Sequence, residues 1–338
     1  MRILSFSLLF LFCISCTGTP DPLPSNSSSS SSDPLKQSSS SGSSNSSSSS
    51  SSNSSSSSSS NSSSSSSLMT ETVDLAKYQS ALAQANQAFE AKHQSGKLKE
   101  AFQGYQSAHQ LKAGDRKVYE RLMRCIFYLT EYEMGGENDQ KAEKIELLAQ
   151  GKEYGFQAIQ LNSRMKQALT ERQDWGVIAS YGASEDVGIL YWLAVCWGRW
   201  GELKGITSAA ADIGKVQALM DKANALNDTY FAGGPDRFYG VFYMKIPKVS
   251  GQDSAKARTH FQRAIQLAPD YLPNYLLFAR YYCVGEDDEE LFVELCNEII
   301  AKEKEASLID PDWKLDNMEA IKRAKMWLKD DYYMNELF

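Results

Sequence analysis

The chain lacks most of the side chains from which catalytic and metal sites are built. Only three histidines occur in 338 residues, His93, His109 and His260, and none stands in a metal-binding spacing. Six cysteines are present without a Cys-x-x-Cys pair, which excludes zinc-ribbon and thioredoxin-like sites. There is no glycine-rich phosphate loop and no Gly-x-Ser-x-Gly elbow. Catalytic residues, metal and cofactor are therefore none by expectation, and the chain does not read as an enzyme. Positive charge is also short: 35 Lys and Arg face 42 Asp and Glu, a net charge of −7. A nucleic-acid partner, which needs clustered cations, is not expected. Long apolar runs are missing too. The N-terminal run Ile3 to Ile14 is about a dozen residues, short of the ~20 that a membrane-spanning helix requires. Sustained alternation of the strand type is absent.

What is present begins at the N-terminus. Met1-Arg2, the apolar run and Ser15-Cys16 have the form of a secretory signal peptide over residues 1–15. A cysteine at the new N-terminus points to a bacterial lipoprotein with Cys16 acylated; an ordinary signal peptide cut elsewhere is the alternative. Thr17, rather than Asp, follows the cysteine, which favours the outer over the inner membrane. Residues 16–69 are dominated by serine and have little apolar surface to offset ordering entropy. They read as a flexible tether with a reach of roughly 40 Å. A glycosylated mucin-like stalk is the competing reading, and the near absence of threonine disfavours it.

Residues 70–338 carry a recurring stripe. Ala101, Tyr105, Ala108 and Leu111 are spaced four, three and three, as are Gly151, Gly155, Ala158 and Leu161. Val216, Met220, Ala223 and Leu226 repeat the spacing, and so do Ala257, Phe261, Ala264 and Leu267, with Pro269 following. These steps share one helical face. The pattern resembles the second helix of a tetratricopeptide repeat. The intervals of about 50, 65 and 41 residues exceed the usual ~34, so the units are degenerate and carry insertions. Further helices are predicted over Val118–Tyr132, Val187–Leu203, Pro273–Val284, Leu291–Leu308 and Trp313–Lys329. The expected fold is all-α, a superhelical stack of helix pairs with extra helices. Cys125, Cys196, Cys283 and Cys296 fall in apolar helical surroundings and read as buried structural thiols.

Three segments stand out as candidate sites. The first runs from Trp175 to Trp200 and holds Tyr181, Asp186, Tyr191, Trp192 and Trp197; it is either plain core or the wall of a ligand channel. The second is Gly233-Gly234-Pro235-Asp236-Arg237-Phe238-Tyr239. Gly-Gly-Pro stops one helix and starts another, while Asp236 and Arg237 either cap it or reach into a groove. The third is Arg280-Tyr281-Tyr282, where a buried arginine requires an acidic partner or an anionic ligand.

Taken together, Tyr181-Gly182, Asp186, Leu190 to Ala194, Trp197, Gly234 to Arg237, Ile246-Pro247, Ala257-Arg258 with Phe261 and Ala264, and Leu276 to Tyr282 make a signature. It is similar to that of the TRAP transporter T-component family of envelope lipoproteins, over about Leu98 to Leu328. The resemblance implies a non-enzymatic adaptor of a tripartite ATP-independent uptake system. It implies a periplasm-facing head that docks a solute-binding protein (the P-component) and holds or relays a hydrophobic or organic-acid ligand through a channel. It also implies that a homotrimer can form. A general envelope scaffold with no transport role is the alternative.

Overall fold

The computed structural model describes residues 62–136, 139–306 and 310–329. The signal segment 1–15, the candidate lipid site Cys16 and the tether up to residue 61 lie outside the described residues. Among the described residues every regular element is a helix. The fold is all-α.

Successive helices pack in pairs: α1 (Ser62–Glu90) on α2 (Lys97–Leu111), α3 (Arg116–Tyr128) on α4 (Lys141–Ile159), and α7 (Val187–Lys204) on α8 (Ile206–Leu226). The series continues with α9 (Tyr230–Lys245) on α10 (Ser254–Leu267) and α13 (Glu289–Ala301) on α15 (Lys314–Lys329). Short helices fill the intervals: α5 (Ser163–Thr170), α6 (Trp175–Ser180), α11 (Pro273–Leu277), α12 (Val284–Glu286) and α14 (Glu303–Ala306). Helix α1 starts at Ser62, inside the segment that composition assigns to the tether. Once a helix is nucleated, each added residue costs little, so composition alone does not mark where it stops.

The recurring stripe lies on α2, α4, α8 and α10, and its first three positions are buried in each. Gly151 and Gly155, the small residues of the α4 stripe, are sites of close approach. A Cβ on Gly155 would fall 2.5 Å from Leu193 Cδ1 on α7. The large residue missing from α4 is thus supplied by its neighbour.

Helix starts follow local capping chemistry. Asp115 Oδ1 accepts from the Lys117 and Val118 amides, and Asn162 Oδ1 from those of Arg164 and Met165. One boundary differs from expectation. The helix expected over Leu291–Leu308 breaks at Lys302, with α14 following. The acidic run Glu286–Glu290 leads into α13: Asp287 is left-handed (φ 59°), Asp288 caps the helix, and Glu289 and Glu290 stand in its first turn.

Two helices widen into π turns, Leu129–Glu133 after α3 and Phe278–Cys283 after α11. An extra residue in a turn rotates all that follows, so positions inferred from a 3.6-residue period are displaced there. Both turns contribute to the same cavity.

Candidate ligand cavity

One apolar core runs through α1 to α9 and a second through α10 to α15. A cavity of about 550 Å³ lies where they meet, with Trp192 and Val195 on the first side and Leu276 and Ala320 on the second. That is within the usual range for a small-molecule site, roughly 300–1,000 Å³.

Helix α7 supplies the long wall. Tyr191, Trp192, Val195, Gly198, Arg199 and Glu202 recur at helical spacing and line the cavity. The opposite face of α7 is core: Leu193 fills the space beside Gly155, and Cys196 Sγ lies 3.5 Å from the Met123 carbonyl. Core and cavity wall are therefore two faces of one helix. Trp197 also lines the cavity and donates from Nε1 to Asp212 at 2.7 Å. Part of the wall is polar and ion-paired. Arg199 bonds Glu131 and Glu202, each at 2.7 Å, and Lys245 pairs with Glu202.

The first turn of α9 is interrupted by unusual backbone. Phe231 (φ 49°, ψ 54°), Ala232 (φ 57°, ψ 51°) and Gly233 (φ 71°, ψ 29°) are consecutively left-handed. For residues with a Cβ this costs about 1–2 kcal/mol each, and a bulky residue there is an outlier. A side chain at Gly233 would press on the Ala264 backbone at 3.2 Å; one at Gly234 would meet the Tyr191 ring and hydroxyl at 2.7 Å. Arg237 holds the turn from inside. Its Nη1 donates to Ala232 O (3.1 Å) and Asn274 Oδ1 (2.8 Å), and its Nη2 to Phe231 O (3.1 Å) and Tyr191 Oη (3.2 Å). Asn274 Nδ2 adds bonds to Ala232 O (3.3 Å) and Ala264 O (2.8 Å).

Arg237 lines the cavity, is 6% exposed, and all four of its hydrogen-bond acceptors are neutral. Burial works against its charge, but Tyr191, Tyr271 and Asp316 outweigh it, and the guanidinium stays charged. Of the other cations on the wall, Arg199 and Arg323 are half-buried and Lys245 is exposed.

Nearby, Asp316 at the start of α15 is 1% exposed and accepts three tyrosine hydroxyls: Tyr128 (2.8 Å), Tyr132 (3.0 Å) and Tyr271 (3.0 Å). Burial raises its pKa despite the opposing pull of Arg124 and the tyrosine bonds. Behind it, Arg124 donates to Asp312 at 2.7 Å and to Tyr128, and Lys92 reaches Asp312 at 3.3 Å.

The structure brings Tyr191, Trp192, Trp197, Arg237 and Tyr281 to the cavity wall. The remaining candidates lie elsewhere. Tyr181 is exposed beside a smaller hollow near Arg164 and Glu171. Asp186 is a buried staple, bonded to Arg116, Asn162 and the Ala183 amide. Asp236 binds His260 and Arg263 of α10. Tyr239 donates to Asp221, and Tyr282 packs on Phe278 beneath Arg258. Arg280 is half-buried and off the cavity, not the buried cation expected. The π turn at 278–283 rotates the segment so that Tyr281 faces the cavity instead. Tyr132, Tyr271, Asp316 and Arg323 line the cavity, and Asn274 braces it, without having stood out in the sequence. An acidic residue in the first turn of an amphipathic helix, as Asp316 is, looks like an ordinary solvated helix start.

No helix among the described residues is long and apolar enough to cross a membrane. No curated protein matches the chain. The family model for the TRAP transporter T-component matches residues 127–338, a segment that begins later than the signature suggested and leaves α1 and α2 outside. It contains every residue of the cavity wall, from Phe127 to Arg323. The match spans well over half of the chain, and the protein belongs to the TRAP transporter T-component family.

Proposed function

We propose that this T-component docks the solute-binding protein of its TRAP system and holds a small organic acid with an apolar body in the α7–α9 cavity. The observation that carries this reading is a buried cation, Arg237, on the wall of an otherwise largely apolar hollow of about 550 Å³. A buried charge is costly unless paired; the four groups that Arg237 bonds directly are neutral, and an anionic headgroup would add a direct ion-pair partner. Trp192, Val195 and Phe242 would cover the apolar body. A general scaffold has no use for such a hollow.

Two measurements test the reading. Crosslinked pull-down from native envelopes is expected to recover a TRAP solute-binding protein; recovery of outer-membrane assembly factors alone would count against docking. Titration with sodium decanoate is expected to change the fluorescence of Trp192 and Trp197. Val195→Trp, which fills the hollow, is expected to abolish that change. A wild-type chain blind to decanoate and to shorter or longer homologues would remove the ligand-holding role.

We further propose that Cys16 carries the lipid anchor, that the head faces the periplasm from the outer membrane on the serine tether, and that the assembly is a homotrimer. Cys16→Ser in the full chain is expected to move the protein from the membrane pellet to the soluble fraction without changing its thermal midpoint. Continued sedimentation of that variant would assign anchoring to another surface.

A further inference from the structure

We propose that Arg237 couples cavity occupancy to the left-handed turn Phe231–Gly233, so that an acid bound in the cavity releases the turn. This rests on the reading that the cavity holds an anionic ligand.

The guanidinium serves two sites at once. It lines the cavity, and it is a donor to both the Phe231 and the Ala232 carbonyls. All four of its hydrogen bonds among the described residues come from Nη1 and Nη2, so a carboxylate that takes the guanidinium fork must displace at least one neutral acceptor. A carboxylate offers the guanidinium a full negative charge and a bidentate match that the neutral carbonyl, amide and hydroxyl acceptors lack. It therefore outcompetes them for the fork, and each of Nη1 and Nη2 that it takes is a donor shared with a turn carbonyl.

The turn depends on that donor. Two of its three residues carry a Cβ in a conformation that L-residues avoid. Such a conformation persists only where surrounding contacts over-determine it. The remaining brace on the turn carbonyls is Asn274, at a longer 3.3 Å from Ala232 O. Within the turn, the Gly233 amide reaches the Thr229 carbonyl at 3.4 Å, near the limit for a hydrogen bond.

Release has a readout at both ends. Inside, the Phe231 ring lies against Trp192 (4.9 Å) and Tyr271 (5.5 Å), so relaxation of the turn reshapes the cavity wall. Outside, the turn continues directly into Asn227 and Thr229, both exposed. The state of the ligand site is thereby displayed on the surface. The shift is bounded by the difference in acid affinity between the held and released turns.

The test uses the full chain, with sodium decanoate as probe and amide hydrogen exchange as readout. Saturating decanoate is expected to speed exchange at residues 231–234 about tenfold. Arg237→Lys, which keeps the charge but loses the fork, is expected to show fast exchange there without probe and no further response. Should that variant fail to fold, Ala232→Gly decides. It relieves the strained position without touching the cavity wall, so the held turn is stabilised. Exchange should slow and decanoate affinity should fall about fivefold, in line with the known cost of a left-handed L-residue. Decanoate binding with unchanged exchange at 231–234 overturns the coupling and leaves the ligand-holding role standing. Unchanged affinity in Ala232→Gly also overturns the coupling. Absence of binding by decanoate and its homologues overturns the ligand-holding role, and the coupling with it.

Discussion

Asp316→Ala is expected to lower the unfolding free energy by about 3–5 kcal/mol, read from urea midpoints. The carboxylate is almost wholly buried and is the common acceptor for Tyr128, Tyr132 and Tyr271. Its removal leaves three buried hydroxyls without that acceptor, and Arg124 with Asp312 as its remaining acidic partner. Asp316→Asn keeps one acceptor oxygen but turns an amide toward hydroxyl donors, so an intermediate loss is expected. The pH dependence distinguishes a buried carboxyl from a mere hydrogen-bond hub. Burial raises the Asp316 pKa in the folded state from 3.8, so the folded chain binds the proton more tightly than the unfolded one. Its contribution to stability therefore falls as pH rises above 3.8 through the raised value. For Asp312, burial alone would raise the pKa, but Arg124 and Lys92 hold it down to about 2. Its contribution is present above 3.8 and is lost as pH falls toward about 2. The Asp316→Asn chain should lose the decline above 3.8 and keep the acid-side loss. A parallel pH profile for the two chains would show that Asp316 titrates as an ordinary carboxyl.

Trp192→Ala is expected to cost about 3–5 kcal/mol as well. Trp192 is 1% exposed and packs against Phe127, Tyr191 and Phe231, with ring centroids at 5.6, 5.1 and 4.9 Å. Its Nε1 also donates to Tyr230 Oη at 3.1 Å. Because the ring forms part of the cavity wall, truncation enlarges the hollow. The variant should therefore prefer longer-chain acids to decanoate, by titration calorimetry. Trp192→Phe keeps most of the ring and loses the Tyr230 bond, a change of about 1 kcal/mol. Equal destabilisation by the two variants would mean that the hydrogen bond, not the packing, holds the helix. An unaltered chain-length preference in Trp192→Ala would remove the residue from the ligand wall.

The local signals were legible for a shared reason. A stripe such as Ala257, Phe261 and Ala264 records its burial in spacing alone, because a helix brings residues three and four apart onto one face. The same spacing marked α7 as buried nearly all round and left open whether its aromatics were core or wall; the structure makes them both. Gly233-Gly234-Pro235 announced a helix break, which falls near the start of α9, but not that three left-handed residues would form it.

The acid and cation centres were beyond that kind of reading. Tyr128 and Asp316 are 188 residues apart, and Arg237 and Asn274 are 37 apart. Nothing in the neighbourhood of either partner encodes the other. The choice of arginine shows the same limit. Arg280, in an apolar helix, looked buried and is only half-buried, whereas Arg237, at a helix start, read as a cap or as a group reaching into a groove and is buried on the cavity wall. A π turn displaced the first, and the packing of α9 against α7 and α11 enclosed the second.

The sequence by itself determined that the described residues beyond the serine-rich segment make helices, which faces the striped helices α2, α4, α8 and α10 bury, and where capping residues such as Asp115 and Asn162 begin a helix. Each of these depends on neighbours within about one helical turn, so short-range spacing suffices. The tertiary structure alone decided the cavity, the buried charge on its wall and the strained turn that this charge holds. Each arises from groups far apart in the chain, whose meeting depends on how whole helices pack.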